Sequence, residues 1–501
     1  MIQLTRTLFL ILGCTLLLSL AAAKSGFAQS VTTYHGSLER TGNFIVPTLT
    51  WGRARRVHLD RSFAPRFLGH VYIQPLYWQP PGTASGELIV ATENNTVLAI
   101  DAQTGRTVWT RTLGPPVPLS TQPCGNIDPL GITGTPVIDA SSQTLYLDAM
   151  VAGPVGARHL VFALSLADGA TLPGWPVDVM AALAARGEHF NAPDQNQRGA
   201  LTIVGGRVLV PYGGHFGDCG DYHGWVVGIS VRDPHDIVSW ETRARGGGVW
   251  APAGVASDGR WLYFSTGNTF GARQWSDGEA VFRMLPDLAR TDNSRDFFAP
   301  RDWRVLDAHD EDLGGVSPLL LPAPAGGGAA PLILALGKDR RAYLLNADNL
   351  GGIGGELAAE TVSTLRIITA DAAYPVGGDV FVAFQGIGAS CPQPGTDDEL
   401  TVLRIRGGSP PALSTAWCGA LDGRGSPVVT TTDGHSNPIV WILGAEGDNR
   451  LHGFRGDTGA PLFSGGGAAD ALSGLHHFQD LLPAGGRLYI GADNRLYAFS
   501  Y

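Results

Sequence analysis

Residues 86–114 read GELIVATENNTVLAIDAQTGRTVWTRTLG. Short apolar runs alternate with turns bearing Asn and Gly. The pattern predicts three antiparallel strands, Leu88–Ala91, Val97–Asp101 and Thr107–Arg111. Their turns fall at Glu93-Asn94-Asn95 and Gln103-Thr104-Gly105. No helical period of useful length competes with this reading. Weaker copies recur along the chain at spacings of about 40–55 residues. They open at Gln74-Pro75, Gly134-Thr135-Pro136, Arg198-Gly199-Ala200 and Trp250-Ala251-Pro252. Four more open at Val316-Ser317-Pro318, Ala373-Tyr374-Pro375, Gly425-Ser426-Pro427 and His477-Phe478-Gln479.

Eight copies with four short strands each predict an all-β fold, an eight-bladed β-propeller of four-stranded antiparallel blades. Seven blades with one irregular insertion are the alternative. The last copy is one strand short, because Arg487–Ile490 and Arg495–Phe499 are its final strands and the chain stops at Tyr501. Arg55–Asp60 can supply the missing outer strand, which closes the ring and removes two sheet edges.

Composition agrees with a turn-rich protein built by repetition. Of 501 residues 68 are glycine, about twice the usual share, and only 16% are charged. Low hydrophobicity with high net charge, the mark of disorder, is absent. The net charge of −10 argues against nucleic acid and anionic membrane as partners. Of 35 basic residues only two are lysines, Lys24 and Lys338.

The first residues have a separate character. Arg6 precedes an apolar run, Leu8–Ala23, and small residues follow at Gly26 and Ala28. This is the pattern of a secretory signal peptide over 1–28, cleaved after Ala28 or after Ala23. The remainder, 29–501, is expected to form a single propeller domain, periplasmic or secreted, with no membrane span. Removing 1–28 takes away Arg6 and Lys24 and no acid, so the mature chain is more acidic by two charges. Four cysteines then remain, Cys124, Cys219, Cys391 and Cys418. An even count in an exported chain predicts two disulfides, and three pairings are possible. No CxxC or CxxCH occurs, so neither a zinc ribbon nor an attached c-type haem is expected.

The stretch Ala99–Trp109 fits AxDxxTGxxxW. It resembles the tryptophan-docking repeat of the quinoprotein alcohol dehydrogenase-like superfamily. In physical terms Thr104-Gly105 makes the turn and Trp109 lies across the seam to the next blade, burying about 200 Å². The repeat is specific for fold and not for activity, since non-catalytic propellers carry it too.

Three further segments resemble the site of those dehydrogenases. In 246–268, GGGVWAPAGVASDGRWLYFSTGN, Trp250 and Asn268 stand eighteen residues apart. The resemblance makes Trp250 the floor under pyrroloquinoline quinone (PQQ) and Asn268 a Ca²⁺ ligand. A planar quinone wants a flat apolar surface, and an Asn carbonyl is a hard neutral ligand. In 310–318, DEDLGGVSP, the carried-over residue is Asp312, as proton-abstracting base and second Ca²⁺ ligand. In 337–346, GKDRRAYLLN, it is Lys338, as the cation that polarises the quinone.

The chain departs from the family pattern at two places. The family's metal-binding glutamate after Gly-Gly is missing. Gly213-Gly214 is followed here by His215-Phe216, and Asp218 or Asp221 is left to reach the metal. The adjacent-cysteine disulfide that covers the quinone is also missing, with Cys124 alone at a similar place. On that resemblance Cys124 and Cys219 both lie near the axis and are expected to pair. Cys391 and Cys418, inside one predicted blade, are expected to staple its outer strands. His215, His223, His476 and His477, with Asp218, offer nitrogen and oxygen donors that could bind a transition metal. Arg198 is expected to pair with an acidic substrate or with Asp312.

The resemblance therefore implies a dehydrogenase that oxidises an alcohol or sugar hydroxyl and passes electrons to a separate acceptor. The rival is a non-catalytic propeller that binds protein or carbohydrate. An enzyme needs Asp312, Asn268, Trp250 and Lys338 around one pocket, whereas a scaffold can scatter them.

Overall fold

The computed structural model describes residues 30–83, 85–154, 156–322, 330–392 and 399–501. The proposed signal peptide over 1–28 lies outside them. Eight antiparallel sheets of four main strands follow one another along the chain, so the seven-blade alternative falls away. Blade 1 is Leu76–Trp78, Glu87–Ala91, Thr96–Asp101 and Thr107–Thr112, the meander read from residues 86–114. The first strands of blades 2 to 8 are Val137–Asp139, Thr202–Val204, Ala256–Ser257, Leu319–Leu320, Ala372–Val376, Val428–Thr431 and Leu481–Ala484. Each begins at or within a few residues of its predicted opening motif.

Tryptophans on outer strands join neighbouring blades. Trp109 donates its Nε1–H to the carbonyl of Leu166 in blade 2 at 2.9 Å. Trp417, on the outer strand of blade 6, does the same to Gly456 of blade 7 at 2.9 Å. Trp240 of blade 3 packs on Phe264 and Phe282 of blade 4, with ring centroids 5.0 and 4.9 Å away. Each indole removes a large apolar face from water at a seam that backbone pairing does not bridge.

The ring closes as expected. His58–Leu59 pairs antiparallel with the last strand, His58 opposite Ser500 and Leu59 opposite Phe499. Both expected disulfides are present, Cys124–Cys219 and Cys391–Cys418. One detail is corrected. Cys418 is on the outermost strand of blade 6, but Cys391 lies in the loop before the third strand, so the bond ties a loop to a strand.

The N-terminal segment does more than supply one strand. Residues 31–45 run along the free edges of the first strands and touch every blade. Val31 exchanges backbone hydrogen bonds with Tyr77 of blade 1, and the Thr32 carbonyl accepts from Ile138 of blade 2. The buried Arg40 guanidinium donates to the carbonyls of Leu201 and Val255, which lead into blades 3 and 4. The carbonyls of Leu38, Glu39, Thr41 and Gly42 accept from Ser257, Leu320, Ala373 and Val429 of blades 4 to 7. Asn43–Ile45 then pairs in parallel with Val429–Thr431, and His35 meets Asp480 beside blade 8 at 3.2 Å. A segment bonded to all the inner edges fills one end of the channel.

Candidate functional site

A cavity of about 510 Å³ is lined by loops from around the ring. Trp250, Asn268, Asp312, Lys338 and Asp218 all face it. The four residues whose convergence separates an enzyme from a scaffold therefore share one pocket.

Asp312 is placed by the chain around it. The helix Trp303–His309 ends at Asp310, which takes a left-handed conformation (φ 53°), and Asp312 follows within two residues. Gly314 then lies so close to blade 4 that a Cβ there would stand 2.4 Å from the Gly267 nitrogen. A Cβ on Gly267 would in turn meet the Asp312 carboxyl and the Trp250 indole, each at 3.1 Å. The two glycines let the acid-bearing turn sit directly on the segment that carries Asn268.

The Asp312 carboxylate is buried and bonded through both oxygens. Its Oδ1 accepts the Asn268 backbone N–H at 2.8 Å. Its Oδ2 accepts the Trp250 Nε1–H at 3.2 Å and lies 2.7 Å from Lys338 Nζ. The ammonium also bonds Asp310 Oδ1 at 2.5 Å and stands 5.2 Å from the centroid of the Trp250 ring. Burial works against the Lys338 charge, yet Asp312 and Asp310 raise its pKa above the ordinary lysine value.

Acid is in excess on this wall. Glu279, wholly buried beneath the turn, accepts the Leu313 N–H at 2.6 Å. Burial, and then the Asp312 charge, push its pKa well above the usual carboxylate value. Asp218 accepts the Tyr222 hydroxyl at 2.6 Å. Burial raises its pKa too, with Asp312 and Asp310 adding to the effect. A cluster of like charges that resists ionisation is an environment a cation relieves. The Asn268 side-chain amide faces the cavity with no hydrogen-bond partner among the described residues, so its oxygen is available to an ion. Asp312, Asn268 and Asp218 thus fit a hard cation, although Ca²⁺ takes about 6–8 oxygens and needs more from water or a bound ligand.

Basic residues line the cavity as well. Arg198, Arg424 and His477 line it, with Glu446 bonded to His477 Nδ1 at 2.7 Å. Arg198 lies over the Phe478 ring, 5.0 Å from its centroid, and has no hydrogen-bond or ion-pair partner among the described residues. Burial lowers its pKa. The expected pairing of Arg198 with Asp312 is corrected, because Lys338 holds that place. A planar polycarboxylate such as PQQ fits these features, with Trp250 as a flat surface and unpaired guanidinium in the same cavity.

Other expectations change. Cys124 does not line the cavity; Asn126, two residues on, does. Its bond to Cys219 instead fixes the loop that carries Asp218. The histidines do not gather around Asp218. His215 bonds the Pro193 carbonyl, His223 bonds that of Thr242, and His476 bonds Asp493. Asp310 and Glu279 were not singled out from sequence. Asp310 reads as one residue of a solvated acidic turn, and Glu279 as an ordinary hairpin position.

No protein-family model matches the chain, and no curated protein matches it. Solved structures do. A quinohemoprotein alcohol dehydrogenase from Pseudomonas putida HK5 superposes with a TM-score of 0.64 at 13% identity, over 94% of this chain and 80% of that one. The quinohemoprotein alcohol dehydrogenase from Comamonas testosteroni gives 0.63 at 15% identity, over the same shares. A europium-containing methanol dehydrogenase gives 0.60 at 13% identity, over 94% and 98%. At these identities the likeness is one of fold, and the fold is the one the docking repeat led us to expect.

Proposed function

We propose that the protein is a quinoprotein-like oxidoreductase that oxidises an alcohol or sugar hydroxyl. The observation that carries this reading is the convergence of Trp250, Asn268, Asp312 and Lys338 on one cavity closed at its far end. The rival, a propeller that only binds protein or carbohydrate, gives no reason for these four to meet. PQQ, when bound, supplies the carbonyl that accepts a hydride from the substrate carbon.

The chain's own residues do the rest. Trp250 presents a flat indole for stacking, and its N–H orients Asp312 Oδ2. Asp312 would take the hydroxyl proton of the substrate, and Lys338 Nζ lies 2.7 Å from its Oδ2. Lys338, gripped by two carboxylates, holds a compact positive charge where negative charge builds up. Asn268, Asp312 and Asp218 would hold Ca²⁺, which would offset the acid excess. The filled end of the channel makes substrate and product use the same mouth, and it keeps bulk water off one side.

The absence of a CxxCH motif points to a separate electron acceptor. The reading of 1–28 as a secretory leader supports export to the periplasm or outside the cell. Among the described residues no helix is long and apolar enough to cross a membrane. Purified protein reconstituted with PQQ and Ca²⁺ should reduce an artificial dye with at least one member of a panel of alcohols and sugars. No dye reduction across the panel overturns the reading.

A further inference from the structure

A second cluster lies at the seam where blade 8 meets the chain entering blade 1. His70 Nδ1 stands 2.8 Å from Asp493 Oδ2, and His476 Nε2 stands 2.8 Å from Asp493 Oδ1. The donor atoms of the three residues lie within 4.8 Å of one another. We propose that His70, His476 and Asp493 bind a first-row divalent transition-metal ion.

The argument begins with direction. Each imidazole aims a ring nitrogen at one oxygen of the same carboxylate, and the three donor atoms gather within 4.8 Å. Zinc takes imidazole nitrogen and carboxylate oxygen at about 2.0–2.2 Å, which sets neighbouring donors of a tetrahedral shell roughly 3.3 Å apart. The two pairs at 2.8 Å would open by about half an ångström, and the two ring nitrogens, within 4.8 Å, would come to a similar spacing. Two nitrogens and one oxygen suit Zn²⁺, Co²⁺ or Ni²⁺, whereas Ca²⁺ and Mg²⁺ prefer oxygen alone.

The framework is already fixed. The His70 carbonyl accepts from the Glu93 N–H at 3.0 Å, and Gly69 and Asn494 bond each other on the flank. The Asp493 N–H donates to Gly474 at 2.9 Å, and the His476 N–H donates to Gln479 Oε1 at 2.8 Å. Tyr72 stacks on the His476 ring with centroids 4.4 Å apart. The His70 side chain is 42% exposed, which leaves an entry path and open positions for water. An ion here would staple the chain entering blade 1 to blade 8, adding to the closure made by His58–Leu59.

The test uses the full chain, stripped with a chelator and held in excess Ca²⁺ so that oxygen-rich sites do not take up the probe. Zn²⁺ is titrated calorimetrically into wild type and His70→Gln, and Tm is read with and without Zn²⁺. Glutamine keeps a hydrogen bond to Asp493 but offers no imidazole nitrogen. The expected result is one more Zn²⁺ per wild-type chain than per variant, or binding at least about tenfold weaker in the variant. A Zn²⁺-dependent rise in Tm and visible Co²⁺ absorption should be seen in wild type and lost in His70→Gln. Equal Zn²⁺ binding and equal Tm response in the two proteins overturn the proposal, as does a wild type that binds none. The readouts involve no quinone, so they stand or fall apart from the dehydrogenase reading.

Discussion

Lys338 Nζ lies 2.7 Å from Asp312 Oδ2, in the cavity that Trp250 also lines. A chain that writes nearly all its basic residues as arginine keeps its second lysine at this point. Arginine's wide planar fork does not replace a compact ammonium seated between two carboxylates. Lys338→Ala should lower kcat about 10²–10³-fold, the usual cost of one lost electrostatic donor. Lys338→Arg should restore only part of it. Dye reduction at saturating PQQ checks both.

The seam tryptophans make a stability prediction. Trp109→Ala removes a buried indole and leaves the Leu166 carbonyl without its donor. It should cost about 3–5 kcal/mol in urea unfolding. Trp109→Phe keeps most of the packing and should cost about 1–3 kcal/mol, the part due to the orphaned carbonyl.

Arg40 tests the channel plug. Its guanidinium donates to Thr33 Oγ1, the Tyr34 carbonyl, and the carbonyls of Leu201 and Val255. Arg40→Met leaves four acceptors without a donor and should cost about 3 kcal/mol or more. It should also expose the 30–45 segment to protease before the blades are cut, as limited proteolysis with mass spectrometry can show.

Stability should depend on pH with a definite sign. Asp371 is buried with no partner for Oδ2 among the described residues, and burial pushes its carboxyl up to about 8. Glu93, also buried, is pushed up to about 7, chiefly by burial. The folded protein holds these protons while the unfolded chain releases them near pH 4. The unfolded state therefore binds fewer protons, and stability falls as pH rises from about 4 to the folded values, then levels off. Each proton gives a slope of about 1.4 kcal/mol per pH unit at most. Asp371→Asn should flatten the fall between pH 5 and 7, as read from urea midpoints.

The blades were legible because each repeats a local pattern, an opening motif followed by short apolar runs, so 86–114 could stand for the rest. Trp109 was legible because its turn and its spacing are local. The 31–45 segment was not. Its residues have no period, and Arg40 reaches partners more than 160 positions away. The same distance hid His70 from Asp493, which lie more than 420 positions apart. In the site, Asp312 and Lys338 were found by resemblance, but their ion pair was not, because nothing local says which acid a lysine meets. Glu279 left no trace, since a buried acid in a hairpin looks like an exposed one until the fold covers it.

The most direct measurement is a titration of purified protein with PQQ in the presence of Ca²⁺, followed by quinone absorbance, for wild type, Trp250→Ala and Lys338→Ala. The expected result is saturable binding of one PQQ per wild-type chain, weakened in both variants. No saturable binding to wild type, or equal binding to all three proteins, would contradict a quinone site between Trp250 and Lys338.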